Sequence, residues 1–456
     1  MKGKITGGIL LVIALIGVLM GCGMTNEKQV VEPVEEVVAE TAAPDPEIEL
    51  VELPASLDGL KARETAVAWQ GTEGELVLRS VGDVLIHDRV SWLADVASPV
   101  YEAAVADLTE DRIWSEEADD TASKVLGGEA YEMDLDSSEY DFLPMLARIA
   151  PYTAYADVTV ANLEVIAAYP QLPVTGYPQF NAPASILEAL RTVGVDIVSN
   201  GTNHTLDWFS EGAHASLANL DEAGLMYTGS YADVEDFQTP RIIERNGISV
   251  GFLTYSYGTN GIPVPAGEEY LISLVDLPVM LEEVAWLKPQ VDAVIVTLQL
   301  APEYGEMPDD VQLEVFQALA DAGVKLILGG HPHVLQPVAW LNEDETFAIY
   351  SQASFLSGQR ELDNKQGGIT EVTFKRNEAG EVVVTDPKFM PIFMLGVEDE
   401  KMYEVVPLAD YGQHAIPEGE YWYDTLDTRM HTLTDDFEFV THLETEWTEE
   451  AQDIYR

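Results

Sequence analysis

An α/β fold is predicted by three features of the sequence. Short apolar runs such as VTV, VDIV, DAVIVTLQL and VKLIL alternate with segments that carry apolar residues at helical spacing. Glycines and prolines punctuate the alternation where elements should end. Residues of metal-ligand type then gather just past the strand ends, which is where open α/β sheets bind their ligands. With 47% apolar residues in 456, the chain can bury a large core and has the length of two or three domains.

The first 22 residues read as an export signal. MKGK is a basic start, and GGILLVIALIGVLM is an apolar stretch of signal-peptide length, short for a membrane span. Leu19, Met20 and Gly21 before Cys22 resemble the lipobox of bacterial lipoproteins, in which the cysteine is diacylated and becomes the first mature residue. Cys22 is therefore the expected lipidation site, and two or more acyl chains suffice to hold a protein at the outer face of the cell membrane. It is also the only cysteine, so no intrachain disulfide can form. Residues 23–72, rich in Glu, Pro, Val and Ala, read as an extended, self-repelling tether.

Ordered structure is expected over residues 73–375. ELVLRSV should be a strand ending at Gly82-Asp83, and residues 95–140 an acidic, partly helical insertion. DFLPMLARIAPYTAYAD reads as helical before Pro151, and DVTVANLEV as a strand. SILEALRTVG is a helix with Ser185 as N-cap, VDIVSN a strand, and EGAHASLANLDEAG a helix closed by Gly224. ISVGFLTYSYG is a strand, DLPVMLEEVAWLKP a helix stopped by Pro289, and DAVIVTLQL a buried strand. DDVQLEVFQALADAG is a helix, and VKLILGG and TFAIYSQASF are strands. Residues 376–456 lose this rhythm and are set apart as a C-terminal accessory segment.

Charge narrows the partners. Against 23 basic residues stand 80 acidic ones, a formal net charge of −57. Such a surface repels nucleic acid, which is excluded, and repels an anionic polymer unless bound cations intervene. Most of these carboxylates serve solubility.

The chemistry-bearing residues fall at strand ends: Asp83 and His87, Asn162 and Glu164, Asn203 and His204, Gln299, and finally His331 and His333 in GGHPHVLQP. Five loops can converge only if their strands are neighbours. A mixed His/Asp/Glu/Asn set suits one or two divalent ions, with Mn, Fe or Zn ahead of Mg. Two such ions about 3.5–4 Å apart clamp a phosphoryl or similar oxyanion. Pro332 separates the two histidines, and alternate residues of extended backbone point to opposite sides. For both imidazoles to ligate, the backbone must bend; otherwise one ligates and the other positions it or donates a proton. His214, His414, His431 and His442 carry no such context and are read as structural or surface residues.

The ordered series GDVLIHD, ANLEV, FNAPASILEALRTVGVDIVSNGTNHTLDWFSEG, SYGTNGIPVP, DAVIVTLQLAPEYGEMP, GVKLILGGHPHVLQP and IYSQASF resembles the CapA family of poly-γ-glutamate capsule synthesis proteins. The resemblance covers roughly residues 76–375, and the family is in turn similar to calcineurin-like metallophosphatases. That implies a sandwich of mixed sheets flanked by helices and a dinuclear metal site. It also implies partners in the bacterial membrane, an anionic envelope polymer and the capsule synthesis machinery. Carried over by motif, Asp83, Glu164, Asn203, His204, His331 and His333 would be metal ligands. His333, His204 and Asn203 are also the candidates for the chemistry; the role of His87 is open. The chain departs from the family where Gln299-Leu300-Ala301 replaces His-Trp-Gly, and where Ser351–Phe355 replaces Ser-Leu-Gly-Asn-Phe. Two functions are thus expected to compete: a metal-dependent hydrolase or transferase, and a catalytically degraded binding or scaffolding lipoprotein. An ordinary solute-binding lipoprotein would share the anchor but leaves the paired histidines unexplained.

Overall fold

Chain order turns into space through two mixed β-sheets. The computed structural model describes residues 71–97, 101, 139–396 and 403–445, all within one compact unit that runs from Ile48 to Arg456. The signal segment with Cys22, the tether up to residue 70 and nearly all of the acidic insertion lie outside the described residues.

β1 (Glu75–Leu85) runs through the middle of the larger sheet, almost entirely buried. On one side, β2 (Val158–Leu163), β3 (Ile197–Ser199) and β4 (Met226–Thr228) extend it in parallel. The second sheet has a parallel heart of β6 (Ile248–Ser256), β7 (Ala293–Gln299), β8 (Leu326–Gly330) and β10 (Thr346–Gln352). Its edges, β5 (Arg241–Arg245) and β9 (Leu335–Leu341), are antiparallel. The near-continuous apolar runs read from the sequence are what parallel strands need when both faces are covered.

Four layers result. Leu76, Val160, Phe252, Ile295, Phe347 and Phe374, from both sheets, pack into one core between them. Outside the larger sheet lie the helices Ser185–Thr192 and Phe209–Ala223, burying Ile186, Leu190, Leu217 and Leu220 against strand residues such as Val198. Outside the smaller sheet lie Leu277–Leu287 and Asp310–Ala322, burying Met280, Val284, Phe316 and Leu319. Their ends follow local chemistry. Asp309 and Gln312 form a capping box, and Gly224 and Gly323 close their helices in left-handed conformation.

Some expectations change. Ser185 lies inside its helix, with Ala184 at the N-cap and no side-chain cap bond. The stretch before Pro151 splits into two short helices, Leu143–Leu146 and Ala150–Ala154, and Pro151 sits in the first turn of the second, where its missing N–H costs nothing. TFAIYSQASF is two strands in different sheets: after β10 the chain passes through Ala353 (φ 54°) and enters the larger sheet as β11 (Ser354–Ser357), parallel to the end of β1. The segment set apart as accessory supplies β13 (Val382–Leu395) and β14 (Glu404–Pro407). β13 pairs antiparallel along β12 (Gln366–Arg376), which itself pairs with β1. Among the described residues no helix is long and apolar enough to cross a membrane.

Candidate metal centre

Asp83 is the pivot. It sits in β1 where the register with β2 slips between Val81 and Asp83, so its carboxylate leaves the regular pleat at the strand end. Its side chain is fully buried. Asn162 Nδ2 donates to Asp83 Oδ1 (2.7 Å), and Ser199 Oγ donates in turn to Asn162 Oδ1 (2.8 Å). Adjacent parallel strands β2 and β3 thus fix one carboxylate of β1 through a relay of two side chains.

His331 and His333 come from the loop after β8. Both have positive φ, 90° and 58°, so the backbone does bend around Pro332 and turns both rings inward. Nδ1 of His333 lies 2.9 Å from Asp83 Oδ2 and 3.7 Å from Glu164 Oε2; Nδ1 of His331 lies 3.5 Å from Glu164 Oε1. Glu164, His331 and His333 present ligand atoms that all lie within 4.8 Å of one another, and all three residues are buried. Two imidazoles and a carboxylate at that spacing suit a divalent cation.

The electrostatics fit one as well. Burial, and then the neighbouring Asp83 carboxylate, push the Glu164 carboxyl well above its usual range. Burial works against charge on His333, yet Glu164 and Asp83 hold it above the ordinary imidazole value. Burial lowers His331. Two buried carboxylates side by side are costly without a cation between them. Among the described residues Glu164 Oε2, Asn203 Oδ1 and both amide atoms of Gln299 are buried with no hydrogen-bond partner. Gly330 leaves room for the group: a Cβ there would meet Asn162 Nδ2 at 2.8 Å, Asp83 Oδ1 at 3.0 Å and Gln299 Oε1 at 3.1 Å.

Asn203 and His204 stand beside this cluster, linked to it by residues that sequence reasoning passed over. Tyr257, just past β6, packs its ring 4.5 Å from that of His331 and donates its hydroxyl to Asn260 Oδ1 (3.2 Å). Asn203 Nδ2 donates to the same Asn260 oxygen (3.4 Å), and Asn260 Nδ2 lies 3.5 Å from His204 Nδ1. His204 Nδ1 is 2.7 Å from Asp207 Oδ2, which also accepts the N–H of Phe180. That carboxylate orients the ring and leaves Nε2 free. The signal was present in the spacing His204-Thr-Leu-Asp207 and in the strand-end position of SYGTN.

His87 lies apart from the ligand cluster. Its ring is edge-on to Phe180, which in turn meets His204 edge-on, and its Nδ1 accepts the N–H of Gly358. Burial lowers it to about 4. His87 and Tyr304 line a cleft of about 800 Å³ that also carries Arg89 and Arg360, and the Tyr304 ring lies 6.0 Å from that of His333. His214, His431 and His442 instead face Glu268, Asp427 and Asp410.

A family profile described as bacterial capsule synthesis protein PGA_cap matches residues 77–359, which contain every residue of this centre. The chain is 24% identical over 210 residues to the PGA biosynthesis protein CapA of Bacillus subtilis, covering 44% of this chain and 52% of that protein. It is 23% identical over 201 residues to the capsule biosynthesis protein CapA of Bacillus anthracis, covering 43% and 48%. The chain thus spans about half the length of these curated relatives. Among solved structures it aligns with a phosphatase from Mycoplasma pneumoniae at 14% identity and a TM-score of 0.37, covering 71% of this chain and 95% of that one. Because the profile takes in well over half of the sequence and both strand-end histidines, the chain belongs to the bacterial capsule synthesis protein family PGA_cap.

Proposed function

We propose that this family member is a metal-dependent hydrolase or transferase of the bacterial cell envelope, held at the extracellular face of the cell membrane by lipid on Cys22. Its substrate would be a bond in the capsule polymer, γ-linked glutamyl chain first, or a phosphoester or amide of the envelope. The observation that carries the reading is the buried meeting of Asp83, Glu164, His331 and His333, with Glu164 Oε2 left unpartnered among them. Asp83, Glu164, His331 and His333, with Asn203 and His204 alongside, would hold one or two divalent ions, Mn, Fe or Zn before Mg. A bound ion supplies Lewis-acid polarisation of a substrate oxygen.

The chain's own groups supply the rest. His204, its Nδ1 fixed by Asp207, has Nε2 for one of two roles: to take an ion or, where the ions are held by the other residues alone, to exchange a proton with the reacting group. Asn203 and Asn260 offer amide donors to an oxyanion. Tyr257 and Tyr304, 44% and 52% exposed, flank the histidines and shield them from bulk water. The cleft beyond Tyr304, lined by Arg89 and Arg360 and also by Glu361 and Asp363, would take the extended arm of a polymer.

The test is elemental analysis of the purified chain together with hydrolysis of a generic phosphodiester and a γ-glutamyl peptide. Turnover that depends on bound metal is expected; absence of both metal and turnover in the presence of Mn, Zn, Fe and Mg rejects the reading. A second reading, a binding or scaffolding lipoprotein that assists polymer export, draws on Gln299 standing where relatives carry histidine. It requires that Gln299→His raise metal affinity or rate sharply.

A further inference from the structure

Gln299 is the last residue of β7 and pairs in register with Ser256 of β6 and Gly330 of β8. Its carbonyl is engaged at this point: Tyr257 N–H donates to it at 2.9 Å. Its side chain has no accessible surface, and among the described residues neither Oε1 nor Nε2 has a hydrogen-bond partner. Burying an amide in this state is costly, and a leucine or methionine of similar size would fill the space without that cost. A polar side chain retained there signals a partner outside the polypeptide.

The surroundings of the amide say what the partner is. The point above Gly330 that lies 3.1 Å from Gln299 Oε1 also lies 3.0 Å from Asp83 Oδ1. The same point lies 2.8 Å from Asn162 Nδ2, so the amide oxygen shares its surroundings with the buried Asp83 carboxylate, whose other oxygen meets His333, and with the amide that donates to that carboxylate. Glu164 Oε2, 3.7 Å from the Nδ1 of His333 that meets Asp83, is a further unpartnered oxygen of the same cluster. Carboxylate and carbonyl oxygens prefer harder cations than imidazole does.

We propose that Gln299 is itself a metal ligand through Oε1, and that it tunes the centre toward a hard, oxygen-preferring divalent ion such as Mn²⁺ and away from Zn²⁺. The inference rests on the metal reading above and deepens it: the glutamine sets which ion is held and does not mark a decayed site. Ala301, two residues on, has a φ of 112°, a strained backbone conformation beside the centre.

The experiment is calorimetric titration of metal-free protein with MnCl₂ and, separately, ZnCl₂, for the native chain and for Gln299→Leu and Gln299→His. Gln299→Leu is expected to weaken Mn²⁺ binding by at least about tenfold. The same variant, titrated with no metal, is expected to melt higher than the native chain because the orphaned amide is gone. Gln299→His is expected to shift the Zn²⁺-to-Mn²⁺ affinity ratio toward zinc by about tenfold or more. Unchanged Mn²⁺ affinity in Gln299→Leu, as a buried water bridging the amide would give, overturns the inference and leaves the metal reading standing. If Gln299→Leu does not fold, an unchanged affinity ratio in Gln299→His overturns it alone. A native chain that takes up neither ion overturns both.

Discussion

Asp83 and Glu164 stand side by side with no solvent to separate them, and that fixes what their substitution should do. Glu164 is already pushed toward its neutral form by burial and by Asp83. Glu164→Gln should therefore leave the metal-free fold as stable as before while lowering divalent-ion affinity by at least about 100-fold, since a direct ligand outweighs the outer groups that are worth 10–100-fold. Thermal melts with and without MnCl₂ check this: the metal-free midpoint should hold and the metal-induced rise should vanish. His414 gives a second test far from the centre. Burial, with Arg148 nearby, lowers it from the ordinary 6.5 to about 4. Below pH 6.5 the unfolded chain takes up a proton that the folded chain refuses, so this contribution is full above pH 6.5 and fades as pH falls toward 4. Urea unfolding between pH 7 and pH 4 should show the acid-side loss reduced in His414→Phe, by up to about 1.4 kcal/mol per pH unit. At this scale the residue types were legible, because histidine, carboxylate and asparagine at strand ends have few other reasons to gather. Tyr257, Asn260 and Asp207 were not singled out, because second partners are chosen by three-dimensional neighbours and their residue types are common in loops.

Strand ends carry the precision of the site. Gly82 precedes Asp83 where β1 crosses under the turn at Ala353, and a Cβ there would lie 2.0 Å from the Ala353 carbonyl oxygen. Gly82→Ala should cost about 1–3 kcal/mol in urea unfolding by forcing that crossing apart. It should also weaken metal binding, because Asp83 follows directly. The bend at His331 and His333 was demanded by the proline and the wish to use both rings, and the positive φ angles supply it. The long helices and parallel strands were readable from periodicity alone. The short β4, the antiparallel β9 and the division of TFAIYSQASF between sheets were not, since pairing partners far along the chain decide them and leave little trace in local pattern.

Taken whole, the molecule sets an acidic surface around a centre that wants cations. A net charge of −57 strains any compact state through self-repulsion. Its melting temperature should rise by several degrees between about 0.01 M and about 0.5 M NaCl, as screening shortens the reach of that repulsion. A melting temperature that is flat or falls with salt would show the acidic residues to be locally compensated. The α/β class and the order of motifs were legible because they are written in periodicity and spacing. The place of residues 382–407 was not: β13 and β14 belong to the larger sheet through pairing with β12, an association that composition cannot announce.

The passage from β10 to β11 has a dynamic consequence. One polypeptide step at Ala353 stitches the two sheets together directly beneath Asp83, whose N–H donates to the Ala353 carbonyl at 2.7 Å. The halves of the centre therefore have no hinge on which to part. The amide protons of Asp83 and Ser354 should exchange with deuterium only as fast as the whole unit unfolds, well behind those of the loop holding Tyr304. A centre built this way would be assembled or lost in a single cooperative event, and substrate would have to come and go through the cleft rather than between the sheets.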